Sequence, residues 1–390
     1  MLLNVPERVD DWRAVGFGVY VHWPFCLAKC PYCDFNSHVT RDVDHDRWRA
    51  ALVAELTAAR DLTGPRTADT VFFGGGTPSL MPARTVGAVV EAIDHLWGLS
   101  PGAEISLEAN PTSIEAERFA GYAAAGVNRV SMGAQALNDA DLKRLGRMHS
   151  AAEARAAFDI ARQHFDRVSF DLIYARQDQT VAAWESELGD ALAMAVDHLS
   201  LYQLTIEHGT RFAELHARGG LRGLPPDDRA AEMYEVTQAI AAAASMPAYE
   251  VSNHARAGAE SRHNLIYWRY GDYAGIGPGA HGRVTLDGLR HATETPRAPS
   301  DWLEKAEANT GISVEPLPDG AEADEYALMA LRLAEGMDTD RYERLASKPL
   351  NSAKLAELAE DGLITKTGTR IAATERGRPL LNAIIAALIA

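Results

Sequence analysis

At 390 residues, 47% hydrophobic and 24% charged, the chain has ordinary globular make-up, long enough for one large domain and a smaller one. A formal charge of -16 works against non-specific binding of nucleic acid, whose affinity rests on Lys and Arg neutralising phosphates, and no apolar run reaches membrane-spanning length. The opening MLLNVPERVDDWRAVG mixes acids with bases and has no apolar core, so neither an export signal nor an Arg-rich transit peptide is read there, and a cytoplasmic setting with reduced thiols is expected.

Six short β-rich runs follow in chain order: GVYVHW at 18–23, TVFFGG at 70–75, EISLEAN at 104–110, RVSMGAQ at 129–135, RVSFDLIY at 167–174 and HLSLYQLT at 198–205. Helical spacing of apolar residues fills the intervals at 46–62, 83–97, 114–125, 151–165 and 181–196. Six βα units of this kind predict an α/β parallel barrel, complete or partial, with right-handed crossovers; a doubly wound sheet is the alternative that pattern leaves open.

An Ala-rich helix is predicted at 227–244, then the run AYEVSNHA, a loop dense in Gly and aromatics at 263–283, and a hairpin turn at DGLR, 287–290. The Pro-rich EPLPDG at 315–320 marks a boundary. Beyond it, three helices (the third at about 352–361), a strand and turn in GLITKTGTRIAAT, and a last helix from about 375 resemble a winged helix. Its wing carries Lys366 and Arg370 among many acids, so packing or a lid role is expected of it rather than DNA binding. The expected organisation is an N-terminal segment 1–16, a core barrel 17–315 and a winged-helix-like α+β domain 321–390.

The only cysteines are Cys26, Cys30 and Cys33, spaced C-x-x-x-C-x-x-C just after the first strand. Three thiolates are one short of the four that usually hold a [4Fe-4S] cluster, which would leave one iron open to another ligand. A zinc site completed by His22 or His38 is the competing reading, although zinc staples usually show two separated ligand pairs. The odd count argues against a disulfide. After the second strand comes GGGTPSL, where missing side chains let the backbone approach a ligand; a side chain at Gly76 is expected to obstruct that ligand and spare the thiolates.

The following strands end in Glu108-Ala-Asn110-Pro111, Gln135, Asp171 and Gln203, with Arg147 in the segment after the fourth. A parallel barrel gathers its catalytic groups at these C-terminal strand ends. Asp171, in a strand of Val, Phe, Leu and Ile, is costly unless paired, so it bonds a ligand or closes a polar network.

The cysteine spacing, with Tyr32 before the third cysteine, resembles the signature of the radical S-adenosylmethionine (SAM) superfamily. In that superfamily the amino and carboxylate groups of SAM chelate the fourth iron, and the reduced cluster cleaves the sulfonium to an adenosyl radical. YVHWPFC, CPYCDFNSH, GGGTPSL, LEANP, GAQ, DLIY and HNLIYWRYGDYAGIGPGAHG together resemble the HemN/HemW family, which holds oxygen-independent coproporphyrinogen oxidases and heme chaperones. The likeness runs from about residue 16 through the C-terminal domain.

It implies Cys26, Cys30 and Cys33 as cluster ligands, and Tyr20, Tyr32, Gly75, Gly76, Thr77, Glu108, Gln135, Arg147 and Asp171 as contacts of SAM. An Arg suits the SAM carboxylate, and acceptors such as Glu108 suit its ribose hydroxyls. The oxidases carry a further cysteine two residues after the third, where this chain has Phe35, and a longer N-terminal arm; both departures argue against porphyrinogen decarboxylation. HNLIYW resembles the HNxxYW motif associated with heme binding in the chaperones. It implies His263 as axial ligand beside the flat surfaces of Tyr267 and Trp268, with His281 a second candidate. The function implied is a heme chaperone that passes heme to apo-hemoproteins, its cluster assisting transfer or formation of a homodimer. A coproporphyrinogen oxidase, or radical SAM chemistry on another substrate, are the alternatives.

Overall fold

In the computed structural model, residues 11–346 and 349–389 are described. Six strands, β1 (Phe17–Trp23), β2 (Ala68–Gly75), β3 (Leu99–Ala109), β4 (Arg129–Gln135), β5 (Arg167–Tyr174) and β6 (His198–Gln203), lie side by side in parallel in that order. Both faces of β1 are covered at every residue but Tyr20, as expected of a parallel strand with packing on either side. On one edge β7 (Asn253–Ala255) pairs antiparallel to β6. On the other, β8 (Asp272–Ile276) adds a seventh parallel strand beside β1, and β9 (His281–Leu286), β10 (Leu289–Glu294) and β11 (Ser313–Pro316) continue as an antiparallel meander. The sheet therefore has eleven strands and two edges, a partial barrel rather than a closed one.

Local chemistry explains the crossovers. Asp44 accepts from the Arg47 N–H to start the helix His45–Thr63, and Ser150 with Glu153 forms a reciprocal capping box on Ala151–His164. Trp48, Leu52 and Leu56 of the first of these helices, with Val86, Val89 and Ile93 of Ala83–Trp97, join the strands in one continuous core. Asp287 and Gly288, both at positive φ, make the two-residue turn between β9 and β10.

Three elements differ from the pattern reading. The helix expected at 114–125 is two pieces, Ser113–Ala116 and Phe119–Ala124, with Arg118 and Tyr122 donating to the carbonyl of Ser79 at 2.9 and 2.6 Å. The stretch 263–283 is no loop: Ser261 caps a helix, Arg262–Trp268, and β8 follows directly. Its glycines serve close packing, since a Cβ on Gly275 would lie 2.2 Å from the His281 carbonyl oxygen. The final helix is Leu381–Ile389 and not one from 375, because Pro379 sits in a short 3-10 turn that precedes it.

After β11 the chain enters a helical unit with a small sheet, β12 (Met337–Asp338), β13 (Ile364–Thr367) and β14 (Arg370–Ala373), in the order β12-β14-β13. Its apolar cluster gathers Tyr326, Met337, Tyr342, Ile371, Ile384 and Ile385, and takes in Tyr270 from the end of the Arg262–Trp268 helix. No described helix is long and apolar enough to cross a membrane.

Candidate functional site

The C-terminal ends of the parallel strands open into a cleft. Its rim is the cysteine loop. Phe25–Cys26 pairs with His38–Val39, so the loop between them is closed at its base, and Gly76 and Thr77 donate their N–H groups to the carbonyls of Trp23 and Phe25 at 2.7 and 2.9 Å. This fixes the GGGTP turn against the loop. A Cβ on Gly76 would lie 2.9 Å from the Phe25 carbonyl oxygen, and one on Gly75, at φ +112°, 2.5 Å from the His22 ring. Contrary to the sequence expectation, a side chain at Gly76 would thus displace the backbone that carries Cys26 as well as obstruct a ligand.

Cys26, Cys30 and Cys33 are free and line the cleft. Burial pushes the Cys26 and Cys33 thiols up. Thr77 Oγ1, donating to Cys26 Sγ at 3.4 Å, works the other way on that thiol; separately, Arg147 Nη1 donates to Cys30 Sγ at 3.3 Å. Nη2 of Arg147 is anchored, reaching Asn110 Oδ1 at 2.6 Å and the Gly133 carbonyl at 2.8 Å, while Nε is buried without a hydrogen-bond partner among the described residues. That carbonyl is presented by an irregularity at the end of β4, where Gln135 adopts φ +68° and a Cβ on Gly133 would meet its side chain at 2.6 Å. Asn110 in turn donates to Thr77 Oγ1 at 3.3 Å, closing a chain from one cysteine to another through Thr77, Asn110 and Arg147.

Deeper in the cleft are two acids. Glu108 accepts from the Gly75 N–H at 3.2 Å, yet burial and the nearby Asp171 push its carboxyl up to about 8. Asp171 accepts from Ser131 Oγ at 3.1 Å and is raised to about 6, again by burial first. A protonated carboxyl can donate as well as accept, so the pair suits a ligand with hydroxyl groups.

Of the residues picked out from sequence, Cys26, Cys30, Tyr32, Cys33, Gly75, Gly76, Thr77, Glu108, Gln135, Arg147 and Asp171 all face this cleft. Tyr20 lies in an adjoining cavity that shares Gly75 and Glu108 with it, its hydroxyl 3.0 Å from His22 Nδ1. Gln203 lines a separate groove against the C-terminal unit.

His263 stands apart: it is 1% exposed, with Nδ1 2.7 Å from Thr70 Oγ1, Nε2 2.5 Å from Tyr267 OH and the ring stacked on Phe72. Burial lowers it to about 3, so it is a neutral imidazole with both nitrogens occupied. Ligating iron through it would require the ring to leave both partners. Sequence reasoning passed over Asn36, which donates to the carbonyls of Pro278 and Arg297 at 2.9 Å each, and Glu115, which accepts from the Asn110 N–H at 2.7 Å. The one trace of Asn110 in the sequence is its place before Pro at a strand end.

The radical SAM superfamily model matches residues 20–187, and that of the HemN C-terminal domain matches residues 320–380. The heme chaperone HemW of Mycobacterium tuberculosis is 38% identical over 382 residues, covering 96% of this chain and 95% of its own. HemW of Escherichia coli is 35% identical over 375 residues, with 95% and 98% covered. The chain belongs to the radical SAM family that includes the heme chaperone HemW. The mitochondrial radical S-adenosyl methionine domain-containing protein 1 of Bos taurus, 38% identical over 385 residues with 95% and 87% covered, stands at the same distance from it. Among solved structures, coproporphyrinogen III oxidase (HemN) from Escherichia coli superposes with a TM-score of 0.80 over 96% of this chain and 92% of its own, at 22% identity, which establishes the shared fold.

Membership of the radical SAM family implies a [4Fe-4S] cluster and SAM as cofactors. The donor set fits both. Thr77 and Arg147 aim hydrogen-bond donors at two of the three sulfurs, which suits thiolate ligands.

Proposed function

We propose that this chain is a heme chaperone built on the radical SAM fold: it holds a [4Fe-4S] cluster on Cys26, Cys30 and Cys33, takes SAM into the cleft beside it, binds heme and passes it to apo-hemoproteins. The observation that carries this reading is the near full-length likeness to heme chaperones at 35–38% identity, against 22% for the coproporphyrinogen oxidase. When bound, the cluster would present an iron to the amino and carboxylate groups of SAM and supply it with an electron.

The chain's own side chains do the positioning. Arg147, pinned by Asn110 and the Gly133 carbonyl, holds a fixed positive charge where a carboxylate would sit; the Gly75–Thr77 backbone allows close approach of an amino group. Glu108 and Asp171 suit ribose hydroxyls, with Tyr20, Tyr32 and Gln135 completing the contacts of this proposal. Phe35, 56% exposed at the mouth of the cleft, stands where the family's oxidases carry a cysteine, which supports a binding role over decarboxylation. A cytoplasmic location, a homodimer and the absence of nucleic acid partners belong to the same proposal.

The test is anaerobic reconstitution with iron and sulfide, followed by two assays on one preparation. Heme should pass to an apo-hemoprotein, while coproporphyrinogen should release no carbon dioxide above background. SAM-dependent decarboxylation at catalytic turnover, without heme transfer, would replace the chaperone reading with the oxidase one.

A further inference from the structure

Asn110 directly follows β3, the strand that lies between β2, which leads to Thr77, and β4, which leads to Arg147. We propose that Asn110 is a positioning residue for the cluster. Its amide directs the Thr77 hydroxyl onto Cys26 and the Arg147 guanidinium onto Cys30, which raises the reduction potential of the cluster and keeps Arg147 charged for the carboxylate of SAM. The proposal rests on the cluster and SAM reading of the cleft and deepens it.

Donor chemistry fixes which way round the amide lies. A guanidinium carries donors only, so the atom of Asn110 that lies 2.6 Å from Arg147 Nη2 is Oδ1. The NH2 group is then left to donate to Thr77 Oγ1 at 3.3 Å. With an oxygen that accepts from Asn110, the Thr77 hydroxyl keeps its own proton for Cys26 Sγ at 3.4 Å. On the other side, Nη2 of Arg147 is held by Asn110 and the Gly133 carbonyl, which leaves Nη1 on Cys30 Sγ at 3.3 Å. One amide thus sends a proton donor toward each of two sulfurs.

Asn110 is itself held in place. Its N–H donates to Glu115 Oε2 at 2.7 Å and its carbonyl accepts from the Thr112 N–H at 2.9 Å. Buried Glu115 also accepts from Ser79 Oγ, two residues beyond Thr77, and so ties Asn110 to the turn that carries the hydroxyl it directs. Hydrogen bonds to sulfur disperse the negative charge gained on reduction, so two directed donors favour the reduced cluster. An amide, unlike a carboxylate, holds Arg147 without cancelling its charge.

The experiment uses full-length protein reconstituted anaerobically with iron and sulfide. It reads the midpoint potential by electron paramagnetic resonance during a reductive titration, and SAM affinity by equilibrium dialysis. Asn110→Asp keeps the size of the side chain, draws the Thr77 proton away from Cys26 and neutralises Arg147, so it should lower the potential and weaken SAM binding by about tenfold. Thr77→Val should lower the potential, whereas Thr77→Ser, which keeps the hydroxyl, should leave it at the wild-type value. Packing alone would predict the reverse order, since Val matches Thr more closely in shape. If Asn110→Asp assembles a cluster with wild-type potential and SAM affinity, the positioning role is overturned and the cluster reading stands. Should Asn110→Asp hold no cluster, the Thr77 pair decides, and equal potentials for Thr77→Val and Thr77→Ser overturn the proposal. If the wild type takes up no labile sulfide, both the proposal and the cluster reading fall.

Discussion

Glu108 titrates near 8 in the folded chain against 4.5 for an ordinary glutamate, because burial and Asp171 both disfavour its charge. A carboxyl whose folded pKa is raised binds its proton more tightly in the native state, so native stability is lost as pH rises from the unfolded value through the folded one. For the ligand-free protein this puts a decline between about pH 4.5 and 8 from Glu108, with Asp171 adding its share up to about 6. Glu108→Gln removes the ionisable group and keeps the volume. It should raise the unfolding temperature more at pH 8.5 than at pH 5, flattening the profile recorded by circular dichroism across that range. Parallel profiles for variant and wild type would mean that water or a shifted side chain already relieves the charge.

The HNLIYW segment acts first as a helix. His263 bonds Thr70 and Tyr267, stacks on Phe72 and lies against β1, where a Cβ on Gly18 would come within 3.2 Å of its ring. Removing it leaves a buried hydroxyl without its partner, so His263→Ala should cost about 2–3 kcal/mol in denaturant unfolding, and Tyr267→Phe, which loses one hydrogen bond, about 1 kcal/mol. An His263→Ala protein with the wild-type midpoint would contradict this structural role. Loss of heme in such a variant is interpretable only beside its unfolding curve. The same element shows what a sequence conceals. The six βα units were legible because apolar runs and helical spacing alternate with clear punctuation, and the cysteines because all three share one loop. Residues 263–283 were not, since glycines that accommodate crossing backbones look the same in sequence as glycines that make a loop flexible. Arg147 and Asp171 could be picked by residue type and strand position, whereas the role of Asn36 depends on carbonyls 242 and 261 residues away, which only the fold brings near.

Across the whole molecule, the partial barrel and the C-terminal unit are joined by a few charged residues at the start of β8. Asp272, fully buried, accepts from Arg66 at 2.5 Å, from Arg290 at 2.8 Å and from the Thr285 hydroxyl at 2.9 Å. Arg290 also lies over the ring of Tyr270, 3.8 Å from its centroid, and Tyr270 belongs to the apolar cluster of the C-terminal unit. A single carboxylate therefore holds the turn after the first helix, the β9–β10 hairpin and the approach to the last domain in one arrangement. Taking away its charge strands two guanidinium groups that have 2% and 6% exposed side chains. Asp272→Asn should accordingly cost about 3–5 kcal/mol in denaturant unfolding, the range for breaking a buried ion pair by removing one partner. The comparison is Glu325, which pairs with Arg283 at 2.9 Å with side chains 31% and 24% exposed and also accepts from Tyr270 OH at 3.0 Å, so Glu325→Gln should cost less, about 1–2 kcal/mol. If the two substitutions cost the same, the connection between barrel and C-terminal unit rests on apolar packing around Tyr270, and the buried charges at Asp272 add little to it.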